Sequence, residues 1–289
     1  MTKKYIKTIS VIIFVASIAF MNAQAQPNNV SDDCGMPSNP NNPNNPNNPN
    51  NPNNPNNPNN PNIVLVHGAW ADRSSWSKVI PLLQERGYNV TAVQIPLTSL
   101  ADDVAVTNRV LAMQNGPTIL VGHSYGGVVI TAAGANASSV VGLVYISAYA
   151  LDEGEVLSEL NERMPAVSGQ ANIHPDAEGF LWIDSKAFPE SFAKDVDPVQ
   201  ARVMAAVQKP LSASIFGDKV TKAAWKSKPS WYLVSENDRM INPDLERFMA
   251  KRIGAKEVVS IPASHASLVS HPNEVAKLIT DAANATATE

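Results

Sequence analysis

Cysteine is nearly absent from this sequence, since Cys34 is the only one. A single thiol excludes an internal disulfide framework and a thiolate metal cluster built within one chain. Blocks of basic residues are also missing beyond the first few positions, and the formal net charge is -4. Because nucleic-acid binding depends on concentrated positive charge, the composition argues against a nucleic-acid partner.

Long apolar runs are missing everywhere except at the N-terminus. There, three lysines among the first seven residues precede the stretch ISVIIFVASIAF, and Ala23 and Ala25 follow in an A-x-A arrangement. The apolar run is shorter than the roughly 20 residues of a membrane-spanning helix, and the pattern is typical of a cleaved secretory signal. We therefore predict a signal peptide over residues 1–25, a periplasmic or secreted protein, and no stable membrane span after cleavage. An uncleaved N-terminal anchor is the alternative.

A proline-rich repeat follows the predicted signal. The motif N-N-P recurs from Ser38 to Asn62, with a proline at every third position from Pro40 to Pro61. Proline lacks the amide donor and fixes φ, and this composition has nothing apolar to bury, so we predict an extended, solvated linker over residues 26–62. At about 3.1 Å per residue, the repeat can reach roughly 70 Å. It is either a spacer or a neutral repeat expansion without a role.

Residues 63–289 are sufficient for one domain of ordinary size. Their apolar segments are short, rich in β-branched residues and continuous rather than alternating: 63–66 (IVLV), 90–95 (VTAVQI), 118–121 (TILV), 140–146 (VVGLVYI), 231–234 (WYLV) and 258–261 (VVSI). Continuous runs of this kind suit strands that are buried on both faces of a parallel sheet. Segments with helical spacing, such as SLADDVAVTNRVLAMQNG, separate the first of them. This order predicts an α/β fold with a mostly parallel sheet flanked by helices.

The alternation stops between about residues 150 and 228. Prolines, charges and scattered aromatic residues replace clear buried strands there, with one helical segment near DPVQARVMAAVQ. Because the insertion is longer than a connection between two strands needs, we predict a helical cap over one end of the sheet. The aromatic side chains of Phe180 and Trp182 either line a substrate pocket or form the core of the cap, and we take Trp182 as a substrate-binding candidate.

The hexapeptide GHSYGG at 122–127 lies between the run TILV and the small-residue segment VVITAAGA. It contains G-x-S-x-G, the sharp strand-to-helix turn that exposes a nucleophilic serine. The motif arises by chance in many proteins, but its position between a strand and a helix favours Ser124 as a nucleophile over a structural turn. The glycines at 122 and 126 keep side chains out of a crowded turn, and the amide of Tyr125 faces developing negative charge.

A serine hydroxyl needs a base, and the base needs an orienting carboxylate. His265 is the histidine on the loop after the last predicted strand, in IPASHASLV, where it would reach the serine. The other four lie inside the serine turn, after the first strand, in the cap and near a later helix start: His123, His67, His174 and His271. In the order Ser, Asp, His, the segment WYLVSENDRMI offers Asp238, with Glu236 as its rival.

The second donor to an oxyanion should come from the loop after the first strand, VHGAWADRSSW. The amide of Ala69 is the natural partner of the Tyr125 amide, and His67 is predicted to brace the loop through its ring nitrogens. Trp70 in the same loop is a substrate-binding candidate, with packing as its alternative role.

Five separated segments together resemble one known family. HGAW, GHSYGG, LVYISAYALDEGE, SENDRMI and PASHASLVSHPNEVAKLI look like the α/β-hydrolase superfamily, in particular the compact branch of bacterial carboxylesterases, plant methylesterases and hydroxynitrile lyases. The resemblance covers roughly residues 63–283. It implies that Ser124 attacks an ester carbonyl, that His265 moves the proton, and that Asp238 orients His265. It implies neither a metal ion nor an organic cofactor.

The resemblance also reduces the number of reactions that this chain is expected to catalyse. The lyase members carry a threonine where Gly68 stands and a lysine where Ala266 stands, and the absence of these polar groups argues against lyase activity. Related epoxide hydrolases and dehalogenases need an aspartate at position 124, which excludes them. The leading hypothesis is an exported serine hydrolase for a small or medium apolar ester or lactone: an acyl-homoserine lactone, a macrolactone, a pyrethroid-like ester or a methyl ester. A cofactor-free perhydrolase and a non-catalytic ligand-binding module are the alternatives.

Overall fold

The computed structural model describes residues 60–287. The signal peptide predicted over 1–25 and almost all of the linker predicted over 26–62 lie outside the described residues. Within that part of the chain, no helix combines the length and the apolar character that crossing a bilayer requires.

The start of the domain needs one correction to the predicted boundary. Asn62 is not a linker residue, because it begins the first strand and is only 6% exposed. Its side-chain amide donates to the carbonyl of Asn115 at 2.9 Å and to that of Pro117 at 3.2 Å. The folded domain therefore includes the last residues of the proline repeat.

Residues 60–287 form nine strands and nine α-helices. The strands are β1 (Asn62–Val66), β2 (Val90–Val93), β3 (Thr118–His123), β4 (Val140–Ile146), β5 (Ile173–Pro175), β6 (Phe180–Ile183), β7 (Leu211–Ser212), β8 (Ser230–Ser235) and β9 (Val258–Ile261). The helices are α1 (Val79–Gln84), α2 (Leu100–Ala112), α3 (Gly126–Ala133), α4 (Leu157–Asn161), α5 (Phe188–Phe192), α6 (Pro198–Val207), α7 (Pro243–Arg252), α8 (Ser267–Ser270) and α9 (Pro272–Thr286). Short 3-10 helices cover Arg73–Trp76, Ser168–Asn172, Ala213–Gly217 and Ala224–Lys226.

The central sheet is parallel and has the order β2-β1-β3-β4-β8-β9. The inner strands β1, β3 and β8 are buried throughout, and β4 is buried except at Val141, which explains why their sequences are continuous apolar runs rather than alternating ones. Helices α1 and α9 pack together, as do α2 and α3, and α3 and α9 both contact the sheet. Since the strands run in one direction, the loops after β3, β8 and β9 all emerge at the same edge of the sheet.

The cap differs from the all-helical insertion expected from the sequence. It contains α4, α5 and α6, but it also contains an antiparallel sheet of order β5-β6-β7. The turn between β5 and β6 depends on Asp176, whose carboxylate accepts from the amides of Glu178 and Phe180, and on Gly179, at φ +80°. These strands were missed because each has two to four residues, too few to show a clear period.

Candidate active site

Ser124 lies at the junction of a strand and a helix. Strand β3 ends at His123 and α3 begins at Gly126, and Ser124 between them has φ +55°, a left-handed conformation that strains a residue with a side chain. A Cβ atom on Gly122 would stand 2.5 Å from the carbonyl oxygen of Gly126, and one on Gly126 would stand 2.6 Å from that of Val66. Both positions require glycine because the chain passes itself so closely.

Ser124, His265 and Asp238 form a continuous chain of hydrogen bonds. The Ser124 Oγ lies 2.8 Å from His265 Nε2, and His265 Nδ1 lies 2.6 Å from Asp238 Oδ2. All three side chains are buried. Because the carboxylate only accepts, it fixes the proton on Nδ1 and leaves Nε2 free to take the serine proton. This is the geometry of a nucleophile, a base and an orienting acid.

Backbone amides hold the Asp238 carboxylate in place. Its Oδ1 accepts from the amide of Met240 at 2.7 Å and from that of Ile241 at 2.9 Å. Glu236, the rival acid, instead forms an ion pair with Arg247 at the protein surface. The structure therefore brings Asp238, and not Glu236, to His265.

The loop that carries His265 is fastened from two directions. His123 Nε2 donates to the His265 carbonyl at 2.8 Å, and burial lowers the pKa of His123 well below its ordinary value, so its ring stays neutral. From the cap, Asp195 accepts from the Ser264 amide at 3.0 Å, and the Phe192 carbonyl accepts from the Ala266 amide at 3.1 Å. The cap thus takes part in positioning the histidine.

Ala69 and Tyr125, the predicted oxyanion donors, line the pocket together with Ser124. Neither N–H donates to a protein acceptor within residues 60–287, which leaves both for a bound oxygen. His67 braces the Ala69 loop: its Nδ1 donates to the Gly68 carbonyl at 2.8 Å, and its Nε2 accepts from the Ile95 amide at 3.2 Å. Burial lowers the pKa of His67 to about 4, so this bracing imidazole is neutral near pH 7.

Asp103 on α2 is a buried acid that the sequence did not single out. Its Oδ2 accepts from the Tyr125 hydroxyl at 2.7 Å, and its Oδ1 accepts from the Leu97 amide at 2.8 Å. Burial raises the pKa of this carboxyl to about 6, against the effect of the two hydrogen bonds. Asp103 therefore holds the side chain of Tyr125, the residue whose backbone amide is a predicted oxyanion donor.

A pocket of about 180 Å³ opens above Ser124. Its lining combines residues of the sheet edge with residues of the cap: Ala69, Trp70, Ser124, Tyr125, Tyr149, Leu157, Asn161, Gln170, Ile173, Leu211, Phe216, Met240 and Ile241. None of these side chains carries a formal charge. The Tyr149 hydroxyl donates to Asn161 Oδ1 at 2.8 Å, which places a small polar group within mostly apolar walls. The pocket suits an uncharged organic molecule with few polar atoms.

The two predicted substrate-binding residues have different positions. Trp70 lines the pocket, and its indole N–H donates to the Leu181 carbonyl at 2.8 Å. Trp182 does not: it is 39% exposed and its indole N–H donates to Asp176 at 2.9 Å. The prediction for Trp182 is wrong because successive residues of a strand face opposite sides, and Ile183, the neighbour of Trp182, takes the buried side.

Several pocket residues were missed from the sequence. Tyr149 had a usable signal, since it follows the buried strand β4 at the edge where ligands bind. The cap residues Asn161, Gln170 and Phe216 had none, because only the folding of the cap brings them above Ser124. Among the described residues, no group of three or more His, Cys, Asp or Glu side chains has an arrangement that could hold a metal ion.

Comparison with known proteins shows the family to which the chain belongs. The model of a family described as alpha/beta hydrolase matches residues 63–278. A pyrethroid hydrolase of Sphingobium wenxiniae is 28% identical over 256 residues, which cover 78% of this chain and 88% of that protein. Salicylic acid-binding protein 2 of Nicotiana tabacum is 23% identical over 264 residues, covering 73% of this chain and 93% of that protein.

Solved structures agree with the sequence comparison. The crystal structure of a pyrethroid hydrolase from Sphingobium faniae superposes with a TM-score of 0.67 at 26% identity, covering 79% of this chain and 99% of that one. Polyneuridine aldehyde esterase, at 22% identity and a TM-score of 0.66, shares the fold.

Proposed function

Since the chain belongs to the alpha/beta hydrolase family, we propose that it is an exported serine hydrolase that cleaves carboxylic esters or lactones through an acyl-enzyme on Ser124. The observation that carries the proposal is the hydrogen-bonded chain from Ser124 through His265 to Asp238, at the base of a pocket. The name of the relative from Sphingobium wenxiniae, a pyrethroid hydrolase, supports ester hydrolysis.

In the first half of the reaction, Ser124 Oγ attacks the ester carbonyl carbon while His265 Nε2 takes the hydroxyl proton. The carbonyl oxygen becomes an oxyanion, and the free amides of Ala69 and Tyr125 stabilise its charge. Asp238 keeps the proton on His265 Nδ1 and stabilises the imidazolium. Collapse of the intermediate breaks the bond to the alcohol, which leaves with the proton from Nε2.

In the second half, water takes the place of the alcohol. His265 Nε2 removes a proton from the water, the resulting hydroxide attacks the acyl carbon, and the Ser124 oxygen leaves with that proton. For a lactone, the alcohol and the acid are parts of one molecule, so the product is a hydroxy acid. Neither half needs a redox step.

The pocket supports a small or medium, uncharged and largely apolar substrate. Its walls carry no formal charge, so a carboxylate or an ammonium group in the substrate would lose its hydration without a partner. Trp70 and Phe216 provide apolar surface, and Asn161 and Gln170 provide the polar atoms that can orient a substrate. Pyrethroid-like esters, methyl esters and lactones all meet this description.

A fluorophosphonate tests the nucleophile directly. We expect intact-mass spectrometry of the mature protein to show one adduct, and peptide mapping to place it on Ser124. S124A should remain folded, form no adduct and lose several orders of magnitude in kcat. A p-nitrophenyl ester series should favour short neutral acyl groups over long or charged ones. A folded protein with neither adduct nor turnover would instead favour a ligand-binding module, a role that the name of the tobacco relative also fits.

Export is tested separately. The N-terminal pattern of lysines, apolar run and A-x-A motif supports cleavage after residue 25. We expect N-terminal sequencing of the protein recovered from periplasm or medium to begin near Gln26. Recovery of the full-length chain in the membrane fraction would favour the uncleaved anchor.

A further inference from the structure

Glu246 is a fully buried carboxyl group that the proposed mechanism does not use. It lies in the first turn of α7 and is 0% exposed. Its Oε2 accepts from the Ser235 amide at 3.2 Å, while its Oε1 is buried without a hydrogen-bond partner among residues 60–287. Asp238 binds the same residue, because its amide donates to the Ser235 carbonyl at 3.1 Å. The two acids also interact directly, since a side-chain hydrogen bond with Asp238 contributes to the raised pKa of Glu246.

If Glu246 and Asp238 were both ionised, no hydrogen bond could form between them, because a carboxylate only accepts hydrogen bonds. The titratable groups that act most strongly on Glu246 bring no positive charge: Asp238 and Glu236 are acids of the loop after β8. Tyr232 on β8 and Tyr149 after β4, whose pKa values also respond to Glu246, are phenols whose pKa is raised by burial. Burial, together with the charge of Asp238, raises the pKa of Glu246 well above its ordinary value. A protonated Glu246 removes the repulsion.

Asp238 has room for one more donor. A carboxylate offers about four acceptor sites, and three are occupied by the amides of Met240 and Ile241 and by His265 Nδ1. The Oε1 of Glu246 is one of four buried side-chain atoms among residues 60–287 that lack a hydrogen-bond partner. A proton on that oxygen satisfies both groups at once.

We infer that Glu246 is a neutral carboxylic acid whose Oε1–H donates to the Asp238 carboxylate, and that it acts as a positioning residue for the base His265. The inference rests on the proposed serine hydrolase function for its catalytic consequence. Neutral Glu246 restricts rotation of Asp238 without adding a second negative charge beside the imidazole. The orientation of His265 Nδ1–H therefore depends on a residue that contacts neither the substrate nor the serine.

Three variants separate this role from simple packing. E246Q keeps the shape, the acceptor for Ser235 and an N–H donor for Asp238, but it cannot ionise. E246L keeps apolar volume and removes the donor. D244N changes an exposed carboxylate on the same helix and is the matched control. We expect E246Q and D244N to keep kcat within about threefold, and E246L to lower kcat by at least about tenfold with KM changed less than about twofold.

Protonation is tested by the pH dependence of unfolding, independently of activity. A raised pKa in the folded protein means that the wild type takes up a proton on folding. Between about pH 5 and the pH at which Glu246 ionises in the folded protein, the folding equilibrium constant of the wild type should therefore fall about tenfold per pH unit relative to that of E246Q. Denaturant titrations of both proteins at pH 5, 6, 7 and 8 measure this difference.

A stability difference that stays constant with pH would overturn the inference, because Glu246 would then be ionised in the fold. So would a loss of kcat in E246Q as large as that in E246L. If the wild type forms no fluorophosphonate adduct and shows no turnover, the proposed function fails instead, and the unfolding comparison still decides the protonation of Glu246. If E246L does not fold, E246Q and the pH series decide the question alone.

Discussion

The backbone of Gly68 presses against Ser124: a Cβ atom at position 68 would stand 2.6 Å from the Ser124 Cβ and 3.0 Å from the His123 carbonyl oxygen. The two residues follow the ends of the neighbouring strands β1 and β3, which brings the loop of one against the turn of the other. This contact fixes the Ala69 amide beside the serine. It also provides a steric reason for glycine at this position in the present chain, where the lyases of the resembling family have threonine.

We predict that G68A lowers kcat/KM for a short ester by about tenfold to a hundredfold. The added methyl group must displace either Ser124 or the Ala69 amide, and displacements of about an ångström at reacting groups have effects of this size. Steady-state kinetics with p-nitrophenyl acetate measure it. The variant G217A is the matched control, since a Cβ atom at Gly217 meets nothing within 4 Å. Equal activity of G68A and wild type would mean that the loop yields without disturbing the site.

The acid of the catalytic chain can be identified by two conservative substitutions. D238N should lower kcat by about 10⁴-fold, because an amide can favour the wrong tautomer of His265. E236Q should change kcat by less than about threefold, because Glu236 pairs with Arg247 at the surface. Both variants need a check of the fold by circular dichroism. The reverse order of effects would move the acid to Glu236.

Asp103 should make stability depend on pH at mildly acidic values. Its pKa is raised from 3.8 to about 6, so folding takes up a proton in that interval. The stability gained from the neutral acid is complete below about pH 4 and is lost as the pH rises through about 6. Relative to D103N, the wild type should therefore lose about 3 kcal/mol in total as the pH rises, about 2 kcal/mol of it between pH 4 and pH 6, and should change little above pH 7.

Guanidinium unfolding of wild type and D103N at pH 4, 5, 6 and 7 measures this loss. Y125F provides the control, since it removes the hydroxyl that Asp103 binds but leaves the carboxyl. Because the phenol favours the ionised carboxylate, Y125F should extend the pH-dependent interval upward. A difference between wild type and D103N that is the same at every pH would show that Asp103 is already ionised in the fold.

Two deletions that both start at residue 26, but end before and after the start of the folded domain, should have different outcomes. Deletion of residues 26–59 should leave kcat, KM and thermal stability of the mature enzyme nearly unchanged, because asparagine and proline offer no apolar surface to pack. Deletion of 26–62 should lower the melting temperature, since it removes the first residue of β1 and its hydrogen bonds to Asn115 and Pro117. A loss of activity in the shorter deletion would mean that the repeat contacts the domain.

Much of the fold could be predicted from local patterns. The strands β1, β3, β4 and β8 coincide with continuous apolar runs, because burial on both faces leaves little room for polar side chains in such strands. Strand β9 also coincides with an apolar run, although it lies at the edge of the sheet and only its Ile261 is buried. The cap could not be predicted in the same way. The strands β5 to β7 are too short to show an alternating pattern in the sequence, and they can be recognised as strands only from their pairing with one another. Trp182 was misplaced for this reason.

Local sequence patterns were enough to predict the nucleophile turn and the chain order of the three candidate residues. G-x-S-x-G between an apolar run and a small-residue helix is a local pattern, and one direction of the strands is enough to bring the loops of Ser124, Asp238 and His265 to the same edge. The sequence favoured Asp238 over Glu236, two residues before it, and the folded arrangement shows the reason: Asp238 bonds to His265, whereas Glu236 pairs with Arg247 at the surface. Only the tertiary structure brought Asp103, Glu246 and the cap residues to the site, because contacts between distant segments exist only after the chain has folded.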